Sequence, residues 1–435
     1  MIHNLFMVMR EQTRRAGSEP PPVAGAKPSC HCKSSRERRE PRCCVAGRPL
    51  RNSGGLGFVL RYCSSLLLIS LVSCAAPRAK LELSGPSGAD AWVEPRHNPA
   101  NTAFVPGPVH VPDTLLWEVK TGGEVRAELT ADHGLIAASS WDRRLYLFDA
   151  RTGRRILRKE LKAPPTSAVF IGDSLALAID DDRSRFLFYD LRSQREIPGR
   201  VIERTSVPPL HLDEGWILLS RSGKVLRVRN SGDTAWSVRV NAPLLAKPAL
   251  VGDRLYVVTG GKKVVCLSVD SGRVIWEHSS AGGHAASPSG DEQRVYSGSL
   301  DSNFYALDAR TGEMQWFFHT GGQIFTAPAV DSLRVYFGAN DGLFYALDKE
   351  TGHLQWKLAA GLVLNSSPVV WDSAVIFGTS DRRLLFVDSK TGTLIREFPT
   401  RGSIYSPPVI YDGRVYITDT KRRLYCFGRA ISTPP

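Results

Sequence analysis

Cysteine all but vanishes from this 435-residue chain after position 74. Of its 8 cysteines, Cys30, Cys32, Cys43, Cys44, Cys63 and Cys74 precede that point, and only Cys266 and Cys426 follow it. Two thiols cannot supply the disulfide framework of a small secreted domain, so the long C-terminal part must be held by a core. Long apolar runs are also absent. The best candidate, Tyr62 to Cys74, is too short to cross a bilayer as a helix. No window sustains a 3.6-residue apolar period, which excludes stacked helical repeats. There is no glycine-rich phosphate loop and no defensible Ser/His/Asp arrangement. His278, His284 and His319 have no paired nucleophile or ligand spacing, and are read as exposed loop residues.

The formal charge of +13 excludes less than it suggests. Residues 1–74 hold 12 Lys/Arg against 4 Asp/Glu, whereas the remainder holds 44 against 39. The basic excess belongs to the front segment, and no basic stripe marks the rest as a nucleic-acid face.

What the sequence does have is a period. Tyr305-Ala-Leu-Asp-Ala-Arg-Thr-Gly-Glu-Met-Gln-Trp316 returns as Tyr345-Ala-Leu-Asp-Lys-Glu-Thr-Gly-His-Leu-Gln-Trp356. Pro208, Pro248, Pro288, Pro328, Pro368 and Pro408 keep the same 40-residue interval. So do Gly232, Gly272, Gly312, Gly352 and Gly392, and Trp236, Trp276, Trp316 and Trp356. Within a unit, Thr326–Val330, Arg334–Ala339, Leu343–Asp348 and Leu354–Leu358 are short β-branched and aromatic runs. Asn340-Asp-Gly342 and Glu350-Thr-Gly352 separate them as tight turns, because glycine reaches positive φ at little cost. Four short strands in about 40 residues predict a β-propeller blade.

Counting units from about residue 124 gives eight, and the eighth stops after Tyr425-Cys-Phe427 without a last strand. An orphan strand at about 115–119, Leu-Leu-Trp-Glu-Val, precedes the first unit. Pairing the two ends removes the exposed edges, so the prediction is an all-β, eight-bladed propeller over residues 114–428, followed by a tail at 429–435. Trp117 then belongs to the same series as the other periodic tryptophans. The unit at about 165–203 is degenerate: Phe188-Tyr-Asp190 survives, but its turn glycine and tryptophan are gone.

Upstream, residues 1–57 lack apolar periodicity and cannot bury enough surface to offset chain entropy. Residues 58–74 read as a secretory signal: Arg61, a short apolar run, then small residues. Leu71-Val-Ser-Cys74 resembles a lipobox, which makes Cys74 the expected lipidation site. A signal this far from Met1 implies a translation start near Leu56 to Leu60, with residues 1–57 an extension. Residues 75–113 are read as a tether, interrupted by Trp92 to Phe104, whose aromatics are expected to pack on the propeller.

The pattern Ala306-x-Asp308-x-x-Thr311-Gly312-x-x-x-Trp316, repeated from Ala346 to Trp356, resembles the tryptophan-docking motif of the PQQ-like (quinoprotein-type) propellers. The Gly-His and Trp-Asp signatures of WD40 repeats are absent. The resemblance implies that Trp117, Trp236, Trp276, Trp316 and Trp356 dock neighbouring blades, with Arg396 a departure in the seventh unit. The family contains quinone-dependent dehydrogenases and non-catalytic lipoproteins. The dehydrogenases carry long insertions, a vicinal disulfide and calcium ligands, whereas the only vicinal pair here, Cys43-Cys44, lies outside the ring.

The chain looks more like the second kind. That implies no catalytic residue, no cofactor and no metal, and a lipoprotein on the periplasmic side of the outer membrane. Its partners would be other envelope proteins, in particular a complex that assembles outer-membrane proteins. A quinone (PQQ)-dependent dehydrogenase and a ligand-sensing or carbohydrate-associated propeller are the alternatives. Asp180-Asp-Asp182 could offer oxygens to a hard cation but reads as a solvated loop. Asp181, Asp182, Arg183 and Arg185, in the degenerate unit, are the candidate partner-binding residues.

Overall fold

The computed structural model describes residues 91–179, 185–201, 205, 207–361 and 363–430. Every regular element among them is a β-strand. The strands form eight sheets, each with four antiparallel members; seven run in sequential order from an inner to an outer strand, and the eighth takes its outer strand from the start of the ring. Blade 1 comprises Thr130–Asp132, Leu135–Ser140, Arg144–Asp149 and Arg155–Glu160. Blade 6 shows the regular unit: Ala329–Val330, Arg334–Gly338, Leu343–Asp348 and Leu354–Ala359. The middle strands are buried on both faces because each blade is packed between two others. They therefore read as continuous apolar runs rather than as an alternation.

Ring closure is the predicted one. Thr114–Lys120 is the outer strand of blade 8, antiparallel to Arg423–Gly428, with Trp117 opposite Cys426. The first and last segments of the ring thus share one sheet, and neither leaves an open edge.

The segment read as a tether is, from Ala91 onward, part of the ring. Residues 92–105 enter the centre and pass the inner strands in order. Trp92 bridges Ala131 of blade 1, and the Phe170 N–H of blade 2 donates to the Val93 carbonyl. Leu250, Gly290, Val330 and Val370, on blades 4 to 7, donate to the carbonyls of Pro99, Ala100, Thr102 and Ala103 at 2.8–3.0 Å. Phe104–Val105 then lies parallel to Val369–Trp371 as a fifth strand of blade 7. The inner-strand N–H groups would otherwise face the axial channel, and this plug supplies their acceptors. Its tight course needs left-handed residues: Arg96, His97, Asn101 and Ala103 have φ between 49° and 71°.

Candidate functional site: the blade seams and the plugged axis

The tryptophans lie at the seams between blades. Trp117, Trp236, Trp276, Trp316 and Trp356 each donate Nε1–H to a backbone carbonyl in the next blade: Ala150, Val269, Ala309, Lys349 and Ser389, at 2.9–3.2 Å. Each indole face also covers the turn glycine of that blade. A Cβ placed on Gly352 would fall 2.6 Å from the Trp316 ring, and Gly153, Gly272, Gly312 and Gly392 are covered in the same way. At four of the five seams the position beneath the indole is small, and at the fifth Arg227 stands opposite Trp236. Cys426, Cys266, Ala306 and Ala346 stand opposite Trp117, Trp276, Trp316 and Trp356. Both ring cysteines are thereby accounted for as small spacers, and burial pushes each thiol up to about 12.

The departures follow the same logic. Arg396 occupies the tryptophan position of blade 7, and Phe386 opposite it is large. Blade 8 takes its outer strand from Thr114–Lys120, so it has no third-to-outer turn for an indole to cover. In blade 2 the turn runs through Gln194 at φ 53° instead of glycine, where the preceding outer strand, Arg155–Glu160, brings no tryptophan.

The repeated aspartates are turn residues. Asp348 Oδ1 accepts from the Thr351 N–H and hydroxyl, both at 2.8 Å, and Asp149, Asp308 and Asp388 do the same with Thr152, Thr311 and Thr391. The Thr351 donors hold the Asp348 carboxyl below the usual carboxylate range, as an ionised cap rather than a base. His278 and His319 lie towards the surface. His284, expected in an exposed loop, is instead buried: Nδ1 is 2.8 Å from Ser297 Oγ and Nε2 2.9 Å from Ser280 Oγ. Burial pushes the ring down to about 4, so it is neutral.

The densest polar cluster sits on the axis, where aromatics were the one hint in the sequence. Arg96, 3% exposed, donates to the carbonyls of Pro368 and Pro328 at 2.9 and 2.6 Å. Asn101, fully buried, donates to those of Pro248 and Pro288 at 3.0 and 2.9 Å. Four of the periodic prolines thus turn their carbonyls to the plug, while bringing no N–H that would need a partner there. Lys247 bonds the Pro95 carbonyl at 2.7 Å and pairs with Glu94 at 3.0 Å. Glu128 accepts from the Arg96 N–H at 2.6 Å and from Trp92 Nε1 at 3.2 Å. Two cations and two carboxylates balance. Burial pushes Arg96 down to about 10 against the pull of Glu128, and pushes Glu128 up against the pull of Arg96.

Of the candidate partner-binding residues, Asp181, Asp182 and Arg183 lie outside the described residues, as does Cys74. The backbone of Arg185 opens the third strand of blade 2, opposite Ile179 and Val201. Sequence reading missed an exposed aromatic. Trp141, 41% exposed between the second and third strands of blade 1, carries the Arg126 guanidinium 4.9 Å above its ring. Arg126 also pairs with Glu124 at 2.8 Å.

Eight four-stranded blades, a ring closed between its two ends and indoles docked on turn glycines define an eight-bladed PQQ-like propeller. The chain belongs to the family of the outer membrane protein assembly factor BamB, which it matches over residues 202–287, 221–322 and 263–433. BamB from Moraxella catarrhalis has a similar fold, at a TM-score of 0.61 and 15% identity over 72% of this chain and 99% of that one. The computationally designed Ika8 protein aligns at 0.65 and 14% over 72% and 99%. The quinohemoprotein alcohol dehydrogenase of Comamonas testosteroni aligns at 0.65 and 12% over 80% and 82%. No curated protein matches the sequence significantly.

Proposed function

We propose that this protein is a non-catalytic scaffold of the bacterial envelope. A lipid on Cys74 holds the propeller at the periplasmic face of the outer membrane, and its loops bind other envelope proteins, among them an outer-membrane assembly complex. The family match supports this reading, and the plugged axis carries it. A dehydrogenase built on such a ring would need room for its cofactor, and here residues 92–105 take the inner-strand N–H groups for themselves. The ring's cysteines are in blades 4 and 8, each beneath a tryptophan, and so cannot form a vicinal pair.

The loop faces remain for partners. Trp141 with Arg126 combines the two residue types that most often dominate binding energy at interfaces. Asp181, Asp182, Arg183 and Arg185 are the second candidate surface. Affinity capture from detergent-solubilised membranes, with mass spectrometry of the eluate, tests the reading. Recovery of outer-membrane assembly proteins, reduced by Trp141→Ala or by Arg183→Glu with Arg185→Glu, is expected. A visible-range cofactor spectrum after addition of PQQ and calcium would overturn it.

A further inference from the structure

The turn between the second and third strands of a blade puts the residue just before the third strand in the left-handed region. Blades 3 and 6 have Gly223 at φ 85° and Gly342 at φ 81° there. Blade 5 has Ser302 at 69°, and blades 1, 4, 7 and 8 have Arg143, Lys262, Arg382 and Arg422 at 62° to 72°. The glycine and arginine turns are alike. The N–H of Arg143, Gly223, Gly342, Arg382 and Arg422 donates three residues back, to Ser140, Ser220, Ala339, Thr379 and Asp419. A side chain at such a φ strains the backbone, whereas glycine adopts it freely. Strain of this kind collects where the side chain serves something other than stability.

Three of these cations share one sector. Blades 7, 8 and 1 are consecutive across the closure, so Arg382, Arg422 and Arg143 stand on neighbouring turns of one face, with Lys421 beside Arg422. All four are exposed. The carboxylates of the same turns are already engaged. Asp142 accepts from Tyr146 and Arg144 at 2.5 and 2.9 Å, and Asp381 from Arg383 at 2.7 Å. Asp419 accepts from Tyr425 and from the Gly402 N–H, both at 2.8 Å. Glu118 is shared by Arg401 and Arg423, and Glu124 pairs with Arg126. Among the described residues, Arg143, Arg382, Lys421 and Arg422 have no carboxylate partner, and Arg422 bonds the Gly122 carbonyl at 3.1 Å. An uncompensated positive sector results, with the half-exposed Trp141 in the same turn as Arg143.

The opposite face is where the chain comes in. Trp92 pairs antiparallel with Ala131, and Phe104–Val105 runs parallel to Val369–Trp371. The plug therefore enters and leaves on the side of the turns between first and second strands. A lipid on Cys74 is joined to that side, which turns the positive sector towards the periplasm rather than the bilayer.

We propose that the second-to-third turns of blades 7, 8 and 1 dock an acidic segment of a partner polypeptide, whose carboxylates pair with Arg143, Arg382, Lys421 and Arg422. Guanidinium groups bind carboxylates through two parallel hydrogen bonds, so such a face orients its partner as well as attracting it. The identity of the occupant rests on the scaffold reading and deepens it, whereas the positive sector itself does not depend on it.

The full-chain protein is titrated with a fluorescein-labelled decapeptide of glutamate and aspartate, followed by anisotropy. A dissociation constant on the order of 100 μM is expected at about 20 mM salt, and screening at about 0.3 M salt should weaken it at least about tenfold. The triple variant Arg143→Gly, Arg382→Gly, Arg422→Gly removes charge and strain together. It is expected to melt at or above the parent's temperature and to bind at least about tenfold more weakly. The corresponding triple lysine variant keeps both and should bind within about threefold of the parent. Arg151→Gln with Arg310→Gln, exposed charges on the opposite face, should leave binding unchanged. Undiminished binding by the glycine variant, or an equal loss in the lysine variant or the Arg151, Arg310 control, overturns the proposal. A glycine variant that melts below the parent shows that the arginines serve the fold, and overturns it too. Cosedimentation of the Cys74→Ser protein with phosphatidylglycerol vesicles, without peptide binding, assigns the face to a membrane surface instead. Peptide binding at this face without capture of envelope proteins upholds the face and overturns the scaffold reading.

Discussion

A turn glycine in this ring is required where an indole lies against it, and merely convenient where its missing Cβ would meet open space. Gly352 has φ 72° and a Trp316 ring atom 2.6 Å from where a Cβ would sit. Gly413 has a similar φ of 65° with nothing within 4 Å. Gly413→Ala should therefore cost only the left-handed penalty, about 1–2 kcal/mol. Gly352→Ala must also push the indole off its seam, and should cost at least about 3 kcal/mol, comparable to deleting a buried tryptophan. Urea unfolding of the two variants separates them, and equal losses would mean that the ring does not depend on that contact.

His284 makes a different residue-scale prediction. Its folded value of about 4 lies below the ordinary 6.5, so the unfolded chain binds the proton first as pH falls. Its stabilising effect is complete above about pH 6.5 and is lost down to about pH 4, at roughly 1.4 kcal/mol per pH unit and about 3 kcal/mol in all. Melting curves of the parent and of His284→Asn should differ in slope across that window. Parallel curves would show that the group does not titrate with unfolding.

At the scale of elements, the strand just before the first unit closes the ring, and the segment before that strand plugs its axis. Removing residues 114–120 takes away the outer strand of blade 8 and the indole that docks blade 1. Blade 8 then ends in an apolar edge, and aggregation or a large loss of stability is expected. A truncated protein that melts within a few degrees of the parent would refute this. The plug can be probed by Arg96→Ala, which removes the buried positive charge that most favours ionised Glu128 and leaves two proline carbonyls without donors. Breaking a buried pair from one side costs about 3–5 kcal/mol, and denaturant unfolding should show a loss of that order.

For the whole molecule, the proposed anchor decides where the ring works. Cys74→Ser should move the protein from the membrane fraction to the soluble periplasmic fraction, because durable attachment needs the acyl chains at about 0.8 kcal/mol per buried CH₂. A mutant that stays on membranes after a salt wash would show that protein contacts hold it instead.

The repeat made the architecture legible from the sequence. Every blade solves the same local problem, so its turns, strands and docking residues recur at one spacing. The missing last strand of the eighth unit and the orphan strand before the first (Thr114–Lys120) state the closure. What happens once leaves no period. Residues 92–105 were legible only as a segment whose aromatics pack on the propeller; their course along the axis was not, because their hydrogen-bond partners lie 39 to 267 positions away on six blades, and only the closed ring brings those inner strands to one axis. His284 read as exposed because burial depends on which loops converge over it. The departures at the seam between blades 2 and 3 were visible in sequence only as degeneracy. Register across the two blades decided that Ala176 and Ile197 stand where a tyrosine and a tryptophan stand elsewhere, and Ala176 is buried there in a cluster with Phe186 and Trp216. The sequence by itself determined the local geometry, since periodic spacing encodes it directly. The tertiary structure alone decided the plugged axis and the burial of His284, because both are made by residues that meet only when the ring closes.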